Sequence, residues 1–313
     1  VETSLVAFRA DFSQDDGKSA SPEDDPDNQP ETALSIRMTP DKIAFIGGGN
    51  MAASLIAGLI SDGYDPATLL VSEPDEEKRK DLADRYAVPT TNDNAVAQQD
   101  ADVLLLCVKP QMAKPVCTGL ALTANARAPL VISVMAGIRE QRIQSWLGGP
   151  RPLVRSMPNT PAVIQAGAIV LHASPEVSPE QRNLAETILR AGGLTQWVEQ
   201  EDLLDAVTAV SGSGPAYFFL LMEEIERIGV ALGLEPDIAR LLTIQTALGA
   251  ARMAMESDHD PGQLRERVTS PGGTTERALD VLARGGFATL VEQAMRAAHA
   301  RSRELSEIFA DPK

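Results

Sequence analysis

Two short segments of this chain have the residue types and spacing to hold anions. The first is Gly47-Gly48-Gly49-Asn50-Met51-Ala52, which fits G-x-G-x-x-G/A with alanine in the third place. It follows an apolar run and opens a helical one. Gly47 permits a tight turn, Gly49 lets the backbone approach a pyrophosphate, and Ala52 permits close helix–strand packing. The start of the helix then offers free N–H groups and a positive dipole end to the phosphates. Glu73 closes the next apolar run, about 20–27 residues after the glycines, where an acid accepts hydrogen bonds from ribose hydroxyls. A carboxylate there repels a 2′-phosphate and favours NADH over NADPH. Arg79 stands close enough to complicate that choice.

The second segment is Ser270-Pro271-Gly272-Gly273-Thr274-Thr275, also just ahead of a helical stretch. Pro271 fixes the chain and the glycines permit unusual dihedrals. Exposed N–H groups join the hydroxyls of Ser270, Thr274 and Thr275. That combination suits one carboxylate, whereas a plain helix cap needs only one hydroxyl.

The surrounding elements must bring these segments into use. Lys42–Ile46, Thr68–Ser72, Asp102–Val108, Leu130–Val134 and Leu153–Ser156 read as short buried strands. Met51–Ile60, Glu76–Tyr86 and Arg139–Leu147 read as helices between them, with Gly63 stopping the first. Alternation at this spacing predicts a parallel sheet covered on both faces. Ala168–His172 and Thr195–Val198 add strands around a helix at Pro179–Ala191. After Glu201 the strands stop. Asp202–Val210, Ala216–Leu232, Pro236–Met255, Thr275–Ala283 and Phe287–Phe309 carry apolar residues at helical spacing. The expected fold is an α/β, Rossmann-type dinucleotide-binding domain over 38–201, followed by an all-α domain over 202–313. The small residues on the long helices suit either core packing or a dimer interface.

Residues 1–37 are of another kind. They hold nine acids against three bases, with Pro and Ser but no periodicity, a composition that cannot offset its ordering entropy. They are expected to be a disordered acidic extension, without the pattern of a secretory signal, and dispensable for activity. Met38 stands just before the first strand.

Composition narrows the function. A formal net charge of −16 with no basic stripe argues against nucleic acid as partner. Two cysteines make no disulfide framework, and the three histidines lack metal-ligand spacing, so no metal is expected. No apolar run approaches the roughly 20 residues needed to cross a bilayer. The expectation is a cytoplasmic protein acting on a small molecule.

Further segments sharpen the reading: Val108-Lys109-Pro110-Gln111, Ser133-Val134-Met135-Ala136-Gly137, Met157-Pro158-Asn159-Thr160-Pro161 and Ser211-Gly212-Ser213-Gly214-Pro215-Ala216-Tyr217. With the loop at 270–275, and in this order, they resemble the pyrroline-5-carboxylate reductase family from residue 42 to about 306. The glycine turn is shared with many dehydrogenases; the segments at 211–217 and 270–275 are more specific. The resemblance implies an enzyme that uses NADP(H) or NAD(H) to reduce 1-pyrroline-5-carboxylate to L-proline. It implies that Ser270, Gly273 and Thr274 hold the substrate carboxylate and that Thr275 bonds the imine nitrogen as the catalytic hydroxyl. Glu201 matches a residue near the substrate in some members. For the cofactor it points to Asn50, Met51, Glu73, Asn94, Cys107, Val108, Lys109 and Pro110, with Ala136 near the nicotinamide. Where some members carry a cofactor-binding asparagine, this chain has Arg267, which is given no role; that of Lys109 is left open. The family further implies a homodimer, or a ring of dimers, with each site between the dinucleotide domain of one chain and the helical domain of another.

The matching segments contain no His/Asp or Lys/Tyr dyad, which fits an imine, already electrophilic once protonated. The rival is another NAD(P)H-dependent imine or β-hydroxyacid reductase. Such enzymes usually need a lysine or aspartate in the first long helix after the sheet, where this chain has Ala216-Tyr217-Phe218-Phe219. A nucleotide-sensing scaffold without turnover would not need the loop at 270–275.

Overall fold

The computed structural model describes residues 41–121 and 128–310; the expectation for residues 1–37 lies outside that range. The first strand, β1 (Ile43–Ile46), is followed by α1 (Asn50–Ser61), β2 (Leu69–Ser72), α2 (Glu76–Tyr86), β3 (Thr90–Thr91) and α3 (Asn94–Gln98). Next come β4 (Val103–Leu106), α4 (Ala113–Gly119), β5 (Leu130–Ser133), α5 (Glu140–Trp146) and β6 (Leu153–Met157). Then β7 (Gly167–Ala173), α6 (Pro179–Arg190) and β8 (Gly193–Trp197) complete one sheet, in the order β3-β2-β1-β4-β5-β6-β7-β8.

The strands from β1 to β6 are parallel to their neighbours. β1, β4 and β5 are buried at every position, as strands covered on both faces must be. Side chains alternate between faces. Ile43, Phe45, Val103, Leu105 and Ile132 therefore join α1, α2 and α6 in one cluster. Ala44, Ile46, Leu104, Leu106 and Val131 join α4 and α5 in the other. At the far side the direction changes: β7 pairs antiparallel with β6, and β8 runs with β7. The physical cause is the link. A short turn over Thr160–Ile164 joins β6 to β7, and a parallel return needs a crossover of a dozen or more residues.

Past β8 every element is helical: α7 (Leu203–Val207), a π-helical turn at Thr208–Gly212, α8 (Gly214–Ala231), α9 (Pro236–Glu256), α10 (Pro261–Arg267), α11 (Thr274–Arg284) and α12 (Phe287–Ala310). Pro215, Pro236 and Pro261 each occupy a first helical turn, where the missing N–H costs nothing. These helices bury very little among themselves. Beyond residue 214, Ala239 is the one fully buried hydrophobic residue among the described residues. Phe218, Phe219, Leu241 and Leu290 are each more than 60% exposed.

Candidate active site

The site starts at the carboxyl ends of the parallel strands, where open α/β sheets bind ligands. Gly47 leaves β1 with φ +102°, and its N–H donates to the Ser72 carbonyl at 2.8 Å. A Cβ here would lie 3.0 Å from the Cys107 carbonyl oxygen, so both conformation and room require glycine. Gly49 then starts α1 with no side-chain cap and no acid in the first turn. Most long helices elsewhere in the sheet region are capped: α2 by Asp75 and α6 by Ser178. The first turn of α1 is thus left for an anion.

Glu73 does something the spacing alone did not reveal. It is buried, and its Oε2 accepts from the Gly48 N–H at 2.8 Å while Oε1 accepts from the Asp75 N–H at 3.2 Å. It is a strut between the glycine turn and α2 as well as an acid beside the cleft. Arg79, on α2, donates to the carbonyls of Glu73 and Pro74 at 2.7 and 2.8 Å.

A cleft of about 700 Å³ opens in front of α1. Gly49, Asn50, Met51, Cys107, Val108, Lys109 and Ala136 line it, seven of the residues expected from sequence. Gly47 and the fully buried Ala52 shape it from behind. Pro110 lines instead an adjoining cavity of about 370 Å³, which shares Ala136 with the cleft. Asn94 accepts from the Ser72 hydroxyl at 2.6 Å and faces a neighbouring opening between Asn92 and Pro115. Burial pushes the Cys107 thiol well above the usual range, so it is a neutral wall rather than a nucleophile. Met157 and Pro158, at the end of β6, also line the cleft. They were visible as part of an unusual segment, but no spacing rule marks them. Lys78, Asp81 and Arg85 line it from α2; their helix reads from sequence only as charged.

The second anion segment is elsewhere on the chain. None of Ser270–Thr275 lines the cleft. Gly273 N-caps α11 without side-chain help. Its own N–H donates to the Ser270 carbonyl at 3.0 Å, and the Gly272 N–H donates to Glu276 Oε2 at 2.8 Å. The turn is also tight at Gly273: a Cβ there would lie 3.0 Å from the Ser270 oxygen. The next amides, of Thr274 and Thr275, open the helix with their hydroxyls beside them.

Glu201 lies outside the cleft of this chain and is held by a buried partner. Its Oε1 accepts from the Arg155 guanidinium and from the Glu140 N–H. Arg155 is buried, and burial pushes its pKa down against the pull of Glu201. Glu140 beside it is raised by burial first and by Glu201 second. Removing one partner of such a pair strands a buried charge. Glu201 ties β6 and α5 to the start of α7.

Comparison with known proteins decides the family. Residues 201–305 match the model described as pyrroline-5-carboxylate reductase dimerisation, and residues 42–137 match NADP oxidoreductase, coenzyme F420-dependent. The pyrroline-5-carboxylate reductase of Pseudomonas aeruginosa is 50% identical over 270 residues, which is 86% of this chain and 98% of that protein. The chain belongs to the pyrroline-5-carboxylate reductase family. The Coxiella burnetii pyrroline-5-carboxylate reductase structure superposes with a TM-score of 0.81 at 46% identity, over 85% of this chain and 98% of that one. The Plasmodium falciparum pyrroline carboxylate reductase, solved with NADP bound, gives 0.76 at 26% identity, over 85% and 98%. The exposed apolar helices fall in the part matched to dimerisation.

Proposed function

We propose that the cleft before α1 holds NADH or NADPH and that the chain reduces 1-pyrroline-5-carboxylate to L-proline as a homo-oligomer. The carrying observation is the separation of two uncapped helix starts: α1 at the cleft, and α11, which lines no part of it. A single chain thus has a dinucleotide cradle facing no substrate loop. The helices α8, α9, α11 and α12 expose an apolar surface far beyond what a monomer keeps. Pairing two copies through it covers that surface and lets the partner's loop meet the cleft.

The residues fit the cofactor. The Gly47 turn leaves no room for a Cβ, and α1 offers N–H groups with no competing acid. Bound there, the cofactor supplies the hydride that the imine carbon receives. Ser270, Thr274 and the amides of Thr274 and Thr275 hold the substrate carboxylate, which fixes the ring. The Thr275 hydroxyl donates to the lone pair of the neutral imine nitrogen and passes its proton there as hydride reaches the carbon, regaining a proton from water. Burial of the imine in a cleft walled by Val108, Val134, Ala136 and Met157 keeps bulk water from competing. The protein contributes position and electrostatics, and the cofactor the hard chemistry. Among the described residues no helix is long and apolar enough to cross a membrane, and a cytoplasmic enzyme in dimers, or a ring of dimers, is the reading we adopt.

The test is purified protein with pyrroline-5-carboxylate, following absorbance loss from NADH and NADPH in separate assays. Turnover of the cyclic imine is expected. Turnover of a hydroxy acid or keto acid alone would overturn the reading, as would cofactor binding with no turnover.

A further inference from the structure

We propose that Arg139 is a positioning residue for hydride transfer, fastening the loop at the nicotinamide end of the cleft to the helix that leads into Ser211–Tyr217. The inference rests on the functional reading above, through the placing of the nicotinamide beside Ala136.

The loop from β5 to α5 carries Val134 and Ala136, both of which line the cleft. Its next turn is held from the helical half of the chain. Arg139 donates to Asp202 Oδ1 at 2.7 Å and to Asp205 Oδ2 at 2.6 Å. The two contacts differ in weight. Asp202 is 87% exposed, and Asp205 only 7%. The exposed pair counts for little, while the buried carboxylate has no water to replace a lost guanidinium. Asp205 Oδ1 also accepts from the Ser302 hydroxyl of α12 at 2.7 Å. Gly137, with φ +75°, brings the loop against Phe309 of the same helix. The loop is therefore clamped by α7 and α12 together.

The same short element braces the opposite wall. Past α7, the Ser211 carbonyl accepts from Asn159 Nδ2 at 3.1 Å. A Cβ on Gly212 would lie 2.5 Å from Met157 Cε, and Met157 lines the cleft. One stretch, Asp202–Gly212, thus sets both loops between which the nicotinamide must sit. Its second half, Thr208–Gly212, is a π-helical turn, a feature that tends to occur at functional sites. An error near 1 Å in the approach of reacting atoms costs about 10²-fold in rate, so a loosened clamp shows in catalysis before it shows in binding.

The experiment compares wild type with Arg139→Ala, Arg139→Lys and Ser302→Ala. Steady-state kinetics with pyrroline-5-carboxylate are combined with titration of NADH by its own fluorescence, which counts competent sites and reports the ring's surroundings. For Arg139→Ala, kcat per NADH-binding site should fall by about tenfold or more. Its NADH Kd and substrate KM should stay within about twofold, and the emission of bound NADH should shift. Arg139→Lys should recover part of the loss. Ser302→Ala leaves the Arg139–Asp205 pair in place and should move kcat and emission in the same direction by less, which keeps the test open if Arg139→Ala does not fold. An unchanged kcat per site overturns the proposal. So does a loss confined to the number of competent sites, or a rise in Kd and KM with kcat preserved. Wild-type protein that binds NADH yet fails to reduce the imine would instead overturn the functional reading.

Discussion

Glu73 shows how one carboxylate serves two ends. In the proposed cofactor site its charge opposes a 2′-phosphate, while its oxygens hold the amides of Gly48 and Asp75. Glu73→Gln keeps an oxygen for Gly48 and removes the charge. The ratio of kcat/KM for NADPH over NADH should therefore rise, by about tenfold if the like-charge repulsion is near one unit of 1.4 kcal/mol. Glu73→Ser removes charge and strut together. It leaves a buried amide without its partner, a cost of about 1–3 kcal/mol, so both cofactors should bind less well and the melting temperature should fall. Kinetics with each cofactor and a thermal melt separate the two variants; an unchanged ratio in Glu73→Gln would remove the electrostatic argument. Thr275 is tested by the same logic. Thr275→Val should lower kcat by about 10²-fold, as the loss of one transition-state donor does, and Thr275→Ser should keep most of the rate.

Helix α1 shows the same dependence on small residues in packing. Gly58 sits so close to the Ala191 carbonyl that a Cβ would overlap it, and the oxygen belongs to backbone that cannot step aside. Gly58→Ala should destabilise the fold by about 1–3 kcal/mol through overpacking, read as a lower midpoint in urea with an unchanged slope. Elements of this kind were legible where burial on two faces writes a continuous apolar run, as in β1, β4 and β5. They were not legible where an element is short or polar. β3 is two threonines, and α4 carries Pro115 inside it. α10 was missed although Asp260 and Gln263 form a capping box around Pro261, a signal present in the sequence. The reversal of β7 was hidden because strand direction follows from the connection, not from the residues of the strand. The site divides likewise. The glycine turn announces itself through backbone needs that only glycine meets. The partners that Glu201 and Gly273 make within the chain, Arg155 and the Ser270 carbonyl, were not legible, because tertiary approach and local turn geometry set them.

At the scale of the whole molecule, helical periodicity could not say whether a small or apolar residue meets its own chain or another. Burial answers: α8 and α9 pack on each other, yet Phe218, Phe219 and Leu241 remain open. Leu241→Glu should place charge in the interface, give monomers by sedimentation, retain NADH binding, and abolish turnover. A stricter test asks whether the cleft and the loop of one site come from different chains. Gly49→Glu has open space for its Cβ and sets an acid against the pyrophosphate, so it should fold but not bind cofactor. Thr275→Val should bind cofactor but turn over poorly. If the two variants are dissociated, mixed in equal amounts and reassociated, half of the pairs are mixed, and each mixed pair has one site with both parts intact. About a quarter of wild-type activity should then return for a closed twofold dimer. If cleft and loop of each site belonged to one chain, no mixed pair would contain an intact site, and the mixture would stay as inactive as its components.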